Sequence, residues 1–163
     1  MKLKRGLRGW WIALLVALAD RLTKVLVARL CPRGGALIPG IINLRPVENQ
    51  GIAFSMLSGK GLGLVLFTAA LIAGLVAWLV THPDDPPLLR AGLWLIAGGG
   101  LGNLYDRLAF GGVSDFIELA FTRLTVFNVA DICVTVGIVL CAIGFWIWDS
   151  RSEDADLDGC GNV

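Results

Sequence analysis

Ten side chains in this sequence carry polar chemistry next to long apolar runs: Asp20, Lys24, Asn49, Asn103, Asp106, Arg107, Asp115, Glu118, Asn128 and Asp131. Ionisable groups in or near hydrocarbon are costly, so they are by default either functional or paired. Their spacing sorts them. Asp20 and Lys24 are four residues apart, as are Asn103 and Arg107, so each pair shares a helix face. Asn128 and Asp131 are three apart at the start of an apolar run, where a helix dipole favours an anion. Asp115 lies in the segment before that run and can fold back to meet Asp131. Two carboxylates held together share one proton over a wide pH range. One then acts as base on a water while its protonated partner donates to a scissile carbonyl. The competing reading is structural: Asp115 caps a turn or strand, Asp131 starts a helix, and Arg107 neutralises one of them. Spacing alone leaves both readings open.

Other chemistries fit less well. The sequence holds no G-x-S-x-G elbow and no H-E-x-x-H, and its one histidine, His82, sits in a Pro-rich turn away from the acids. A Ser-Lys dyad from Ser55 or Ser58 with Lys24 or Lys60 stays conceivable, since a desolvated lysine can serve as base. Cys31, Cys133, Cys141 and Cys160 have no C-x-x-C spacing, so neither a metal site nor a cofactor is expected. Cys133 and Cys141 on one helix would lie ~12 Å apart, too far to bridge. Gly98 and Gly102, four apart in an apolar run, read as close helix packing rather than a phosphate loop.

The elements that must position these groups are membrane spans. Of 163 residues, 56% are hydrophobic and only 17% charged, with a mean hydropathy of +0.74. A soluble domain carries about 25% charged residues, and one this small would leave much of that apolar surface in water. The net charge of +1 removes the electrostatic case for nucleic-acid binding. A span needs about 20 apolar residues, and four stretches supply them, at about 10–30, 61–80, 88–104 and 132–148. Arg90, near the start of the third, is expected to snorkel to the headgroups.

In the first stretch, basic residues Lys2, Lys4, Arg5 and Arg8 followed by Ala17-Leu18-Ala19 resemble a cleavable signal. Apolar residues continue past Asp20, however, and Asp20 can pair with Lys24 inside a bundle, so a retained helix is expected. The same basic residues place the N-terminus in the cytoplasm. Four spans return the C-terminus there and leave 31–60 and 105–131 outside. The Pro- and Gly-rich stretch 31–60 reads as turns and short strands, and 149–163 as an acidic disordered tail. The expected fold is membrane all-α, a four-transmembrane-helix bundle over 1–148 with a small extracytoplasmic β-rich cradle.

Four stretches in register resemble the lipoprotein signal peptidase family, the type II signal peptidases of bacterial inner membranes. They are Asp20-Arg21-Leu22-Thr23-Lys24, Asn49-Gln50-Gly51-Ile52-Ala53-Phe54-Ser55, Gly102-Asn103-Leu104-Tyr105-Asp106-Arg107 with Gly112-Val113-Ser114-Asp115-Phe116, and Phe127-Asn128-Val129-Ala130-Asp131. The resemblance covers about residues 8–148. It implies an integral aspartic endopeptidase that removes the signal peptide of diacylglyceryl-modified prolipoproteins just before the lipidated Cys. Carried over by motif position, Asp115 and Asp131 form the catalytic dyad. Asp20, Lys24, Asn49, Gly51, Asn103, Arg107, Asn128 and Ala130 support it or contact substrate. Implied partners are the prolipoproteins, membrane lipids and globomycin-type cyclic peptide inhibitors, with no cofactor.

Departures from the family pattern are Gln50 in place of a common Thr, and Ile132-Cys133 where Ser is common. Tyr105-Asp106 also resembles half of a presenilin-type motif, but the G-x-G-D partner is absent, so Asp106 is read as a structural charge near Arg107. The alternative function is a small four-span transporter or proton-coupled exporter using intramembrane carboxylates.

Overall fold

The computed structural model describes residues 5–51, 62–122 and 125–160. It contains four long helices, α1 (Trp10–Leu30), α2 (Leu62–Thr81), α3 (Pro87–Phe110) and α4 (Val129–Cys160). Four short strands complete it: β1 (Gly35–Ile38), β2 (Ile42–Asn49), β3 (Val113–Leu119) and β4 (Val126–Phe127). Two helical stretches, Leu62–Thr81 and Val129–Ser150, are by length and composition able to cross a bilayer. The other two helices are interrupted by charges, and the reason lies in which way those charges face. On α1 the buried stripe is Ala13, Val16, Asp20 and Lys24, so it changes from apolar to ionic halfway along. Trp11, Leu15, Leu18, Leu22 and Leu26 face outward.

That inversion extends beyond α1. Among the described residues, as many polar or charged side chains are buried as apolar ones, while Leu, Ile, Val, Phe and Trp dominate the exposed surface. A water-soluble chain would have the opposite distribution.

Helix α3 is the centre of the bundle, and glycines let its neighbours approach. A Cβ at Gly98 would stand 2.7 Å from the Ala13 Cα of α1, and one at Gly99 2.5 Å from the Ala130 carbonyl of α4. Gly92 and Gly137 face each other across α3 and α4 in the same way. The Gly98–Gly102 spacing thus serves helix packing, as its sequence suggests. Pro87 opens α3, where its missing N–H costs nothing, and Gly111 closes it at φ +82°, its N–H on the Arg107 carbonyl. The helix continues past Leu104, so Asp106 and Arg107 stand on its last two turns rather than in a connecting segment.

Arg90 does not snorkel. It is buried, and its guanidinium donates to the carbonyls of Leu79 and His82 at the end of α2 and of Arg5, Gly6 and Arg8 before α1. Helix-end carbonyls lack intrahelical donors, and five N–H groups on one planar cation satisfy several of them at once. The backbone of α4 continues as helix through Cys160. Extending an existing helix adds a hydrogen bond per residue without a new nucleation cost.

The strands form one antiparallel sheet in the order β1-β2-β3-β4. Residues 31–51 supply β1 and β2, as expected for 31–60, whose remainder lies outside the described residues, whereas β3 and β4 come from the connection between α3 and α4. The β2–β3 register sets Val47 opposite Asp115 and Asn49 opposite Val113, after an irregularity between Leu44 and Val47. Pro46, which has no N–H to give the ladder, lies within that irregularity.

Candidate active site

The N-terminus of α4 anchors the site. Asn128 precedes the helix; its Oδ1 accepts the N–H of Asp131 at 3.0 Å, and Asp131 Oδ2 accepts the N–H of Asn128 at 3.2 Å. This is a reciprocal capping box, with an acid at N3 that also benefits from the helix dipole. The Asn128 amide does more than cap. Its Nδ2 donates to Asp115 Oδ1 at 2.7 Å and to Asn103 Oδ1 at 3.1 Å. One fully buried asparagine therefore bridges the two carboxylates, touching Asp131 through its backbone and Asp115 through its side chain.

The remaining contacts fix each acid from a different element. Asn103 on α3 donates Nδ2 to Asp131 Oδ1 at 2.8 Å. Asn49 on β2 donates Nδ2 to Asp115 Oδ2 at 3.0 Å. The Asn49 amide is held in that orientation because its Oδ1 accepts the N–H of Gly51, which sits at φ +66°. A left-handed residue there favours glycine, so Gly51 serves the site through its backbone. Asp115 is buried in β3 while Asp131 is half-buried. Burial pushes the Asp115 carboxyl above the ordinary aspartate range, and the hydrogen bonds from Asn49 and Asn128 together with the Lys24 charge work against that rise.

Behind the acids lies an ionic cluster. Lys24 Nζ donates to Asp20 Oδ2 at 2.7 Å and Asn103 Oδ1 at 3.2 Å and forms an ion pair with Asp106 Oδ2 at 2.8 Å. Engaged by two carboxylates and an amide oxygen, Lys24 reads as a structural cation rather than the base of a Ser-Lys dyad; Ser55, Ser58 and Lys60 lie outside the described residues. Asp20 Oδ1 accepts the N–H of Ala130, one residue before Asp131. Ala130 is fully buried, so its contribution to the site is this backbone donor.

Asp106 lies near enough to Arg107 to act on its charge, but its ion pairs are with Lys24 and, at 3.6 Å, with Arg21. The sequence separation of 82 residues between Lys24 and Asp106 hid that contact, whereas Arg107 was the adjacent cation. Arg107 is half-buried, donates to the Asn103 carbonyl at 3.3 Å, and makes no ion pair within 4 Å among the described residues. Its charge acts on Asp131 and Asp115 over a longer distance. Glu118 stands apart from the dyad, bound to Arg45 at 3.0 Å and Asn43 at 3.4 Å on β2. No cluster of metal-ligating side chains occurs among the described residues.

A cleft of about 370 Å³ opens beside Asp115, between the end of α1 and strands β2 and β3. Val27, Pro46, Val47, Phe110 and Phe116 give it apolar walls, and Glu48 and Ser114 add polar groups. The arrangement offers two adjacent carboxylates, amide donors that orient them, and a partly apolar groove alongside. It can activate a water and protonate a carbonyl.

Known proteins resemble this chain. A family model described as Signal peptidase (SPase) II matches residues 12–147. A lipoprotein signal peptidase of Gloeobacter violaceus is 38% identical over 146 residues, covering 88% of this chain and 84% of the relative. The corresponding protein of Thermosynechococcus vestitus is 33% identical over 150 residues, covering 89% and 94%. A solved structure described as a bacterial membrane enzyme superposes with a TM-score of 0.75 at 28% identity, covering 86% of this chain and 88% of that one. With the family model spanning most of the chain and relatives this similar over nearly their full length, the chain belongs to the signal peptidase II family.

Proposed function

We propose that Asp115 and Asp131 are the catalytic dyad with which this chain cuts the signal peptide from diacylglyceryl-modified prolipoproteins, just before the lipidated Cys. Family membership makes the chain a peptidase acting on lipoprotein signal peptides. It gives no support to the transporter alternative. The observation that carries the dyad is the Asn128 bridge, in which one asparagine donates to both carboxylates, from β3 and from α4.

The chemistry follows from that pairing. The ionised acid takes a proton from a water as its oxygen bonds to the scissile carbonyl carbon, and the protonated acid gives its proton to the carbonyl oxygen. When the tetrahedral intermediate collapses, the C–N bond breaks, and the proton taken from water passes to the leaving amine. The hydroxyl proton returns to the carboxylate that first donated one. Asn103, Asn49 and Asn128 act by orienting the acids, and Asp20, Lys24, Gly51 and Ala130 by holding those groups. Arg107 is the cation that moderates the paired negative charge and a candidate substrate contact.

All four helices are taken to cross the bilayer, α1 and α3 by turning their charges inward. The dyad then lies at the extracytoplasmic face of the inner membrane, with both termini cytoplasmic. At that depth water reaches the acids while diacylglyceryl chains and membrane lipids stay in hydrocarbon. The sheet and the cleft beside Asp115 form the cradle for the substrate backbone, and a globomycin-type cyclic peptide would block the same groove.

Asp115→Asn and Asp131→Asn in the purified full chain test the dyad. Each is expected to abolish cleavage of a diacylglyceryl lipopeptide, and the double variant to be little worse than either single one. Substantial turnover by Asp131→Asn, free of wild-type enzyme, would overturn the assignment. A cysteine at Ser114 is expected to react with an impermeant thiol reagent only from outside; reaction only from the cytoplasm would overturn the orientation.

A further inference from the structure

We propose that Asp106 is a positioning residue for the dyad, holding Lys24 so that Lys24 in turn fixes the Asn103 amide against Asp131. The inference deepens the reading of Asp115 and Asp131 as the dyad and rests on it. Asp106 is 1% exposed on α3, one turn beyond Asn103. Its Oδ2 lies 2.8 Å from Lys24 Nζ and also accepts the N–H of Ser114 at 3.3 Å, next to Asp115 in the chain. Its Oδ1 has no hydrogen bond among the described residues, and Arg21 stands 3.6 Å away. A buried acid left partly unsatisfied is an unusual feature. It is explained if one oxygen is committed to two groups that both lead to the reaction centre.

The route to Asp131 is chemical, not merely spatial. An asparagine amide can sit either way round, and only one way presents an N–H to Asp131. Asn103 Oδ1 receives Lys24 Nζ at 3.2 Å and Asn128 Nδ2 at 3.1 Å, both donors, so the oxygen must occupy that side. Its Nδ2 is thereby directed onto Asp131 Oδ1. Asp20 holds Lys24 from its own helix, whereas Asp106 holds it from α3, the helix that carries Asn103. Without Asp106, Lys24 is free to lean toward Asp20, and the Asn103 amide loses one of the two donors that orient it. The Ser114 N–H gives the same carboxylate a hold on the strand that carries Asp115.

The test uses the full chain in lipid nanodiscs and a diacylglyceryl lipopeptide. Asp106→Ala is expected to lower kcat about 10- to 100-fold, the scale set by small misplacements of reacting groups, with KM within about twofold of wild type. Asp106→Asn keeps an acceptor for Lys24 and Ser114 and is expected to recover most of that loss. In an Asn103→Ala background, Asp106→Ala is expected to cost less in kcat than it does alone, because the route through Asn103 is already cut. Wild-type kcat for Asp106→Ala, or an equal cost in both backgrounds, would overturn the proposal. If Asp106→Ala fails to insert, Asp106→Leu, which keeps the volume but offers no acceptor, carries the same comparison: a kcat deficit that shrinks in the Asn103→Ala background supports the proposal. Wild-type kcat for Asp106→Leu, or an equal deficit in both backgrounds, overturns it. Asp115→Asn and Asp131→Asn assayed alongside separate the two readings. Inert dyad variants with a normal Asp106→Ala refute only the positioning role, whereas active dyad variants refute the dyad itself.

Discussion

Asn128 does two jobs that substitution can separate, because its Oδ1 caps α4 while its Nδ2 reaches Asp115 and Asn103. Serine caps a helix as well as asparagine does but has no amide to extend to Asp115; alanine does neither. Loss of the hydrogen bond to a carboxylate costs about 1.5–3 kcal/mol, and loss of the cap about 1 kcal/mol more. Asn128→Ser is therefore expected to unfold about 2 kcal/mol more easily than wild type, and Asn128→Ala about 3 kcal/mol more easily. Their catalytic defects should nonetheless match, because the cap alone distinguishes them. The sign of the pH effect follows from Asp115. Burial raises its carboxyl, and the Asn128 hydrogen bond opposes that rise by favouring the ionised form. Removing the bond lets the value rise further, so the limb of kcat/KM on which Asp115 exchanges its proton should move to higher pH in both variants. Thermal unfolding in detergent gives the stability order, and a pH series with a fluorogenic diacylglyceryl lipopeptide gives the limb. A limb that stays in place or moves to lower pH would refute the reasoning, as would an Asn128→Ser enzyme with wild-type turnover at every pH.

Asp115→Asn should also change stability with a defined sign. Because the folded value of Asp115 is raised, its contribution is fully present below the ordinary aspartate value and is lost as pH rises through the folded one. The unfolding midpoint of wild type relative to Asp115→Asn should fall over that interval, and a flat difference would count against it. Gly102→Ala would set a Cβ 2.6 Å from Asp20 Oδ2 and push it off Lys24. A cost of about 1–3 kcal/mol with reduced cleavage is expected, against a milder effect for Gly100→Ala, whose neighbour is the yielding side chain of Ile72; equal effects in a thermal-unfolding comparison would contradict this.

Local spacing carried much of this molecule. The Asp20–Lys24 pair at 2.7 Å is what a four-residue interval on an inward helix face predicts, and Trp10–Leu30 follows from the apolar stripe around it. The three-residue interval between Asn128 and Asp131 was equally legible, but as a shared face. That it is a capping box emerges only with the backbone at Asn128. Contacts distant in sequence were out of reach. No local rule pairs Lys24 with Asp106, or sets Asn49 of β2 diagonal to Asp115 of β3. Arg90 shows the same limit from the other side. Near a helix start its sequence context reads as snorkelling, and only the convergence of two chain segments supplies the carbonyls that bury it.

The polar network explains how so short a chain holds Asp115 and Asp131 in place. Between helices in a bilayer, lipid tails are as apolar as leucine, so association relies on close packing and interhelical hydrogen bonds rather than on the hydrophobic effect. Here the glycines of α3 provide the first, and the contacts around Asp115 and Asp131 provide the second. Asp20 ties α1 to α4 through the Ala130 N–H, and Lys24 ties α1 to α3 through Asn103 and Asp106. Asn103 ties α3 to α4 at Asp131, and Asn49 ties β2 to β3 at Asp115. The bonds that hold the elements together near this end are thus the bonds that orient the two acids. Activity and stability should therefore fall together for most changes in the network. They differ in degree where a substitution keeps one fastening without the orientation, as serine at Asn128 keeps only the cap.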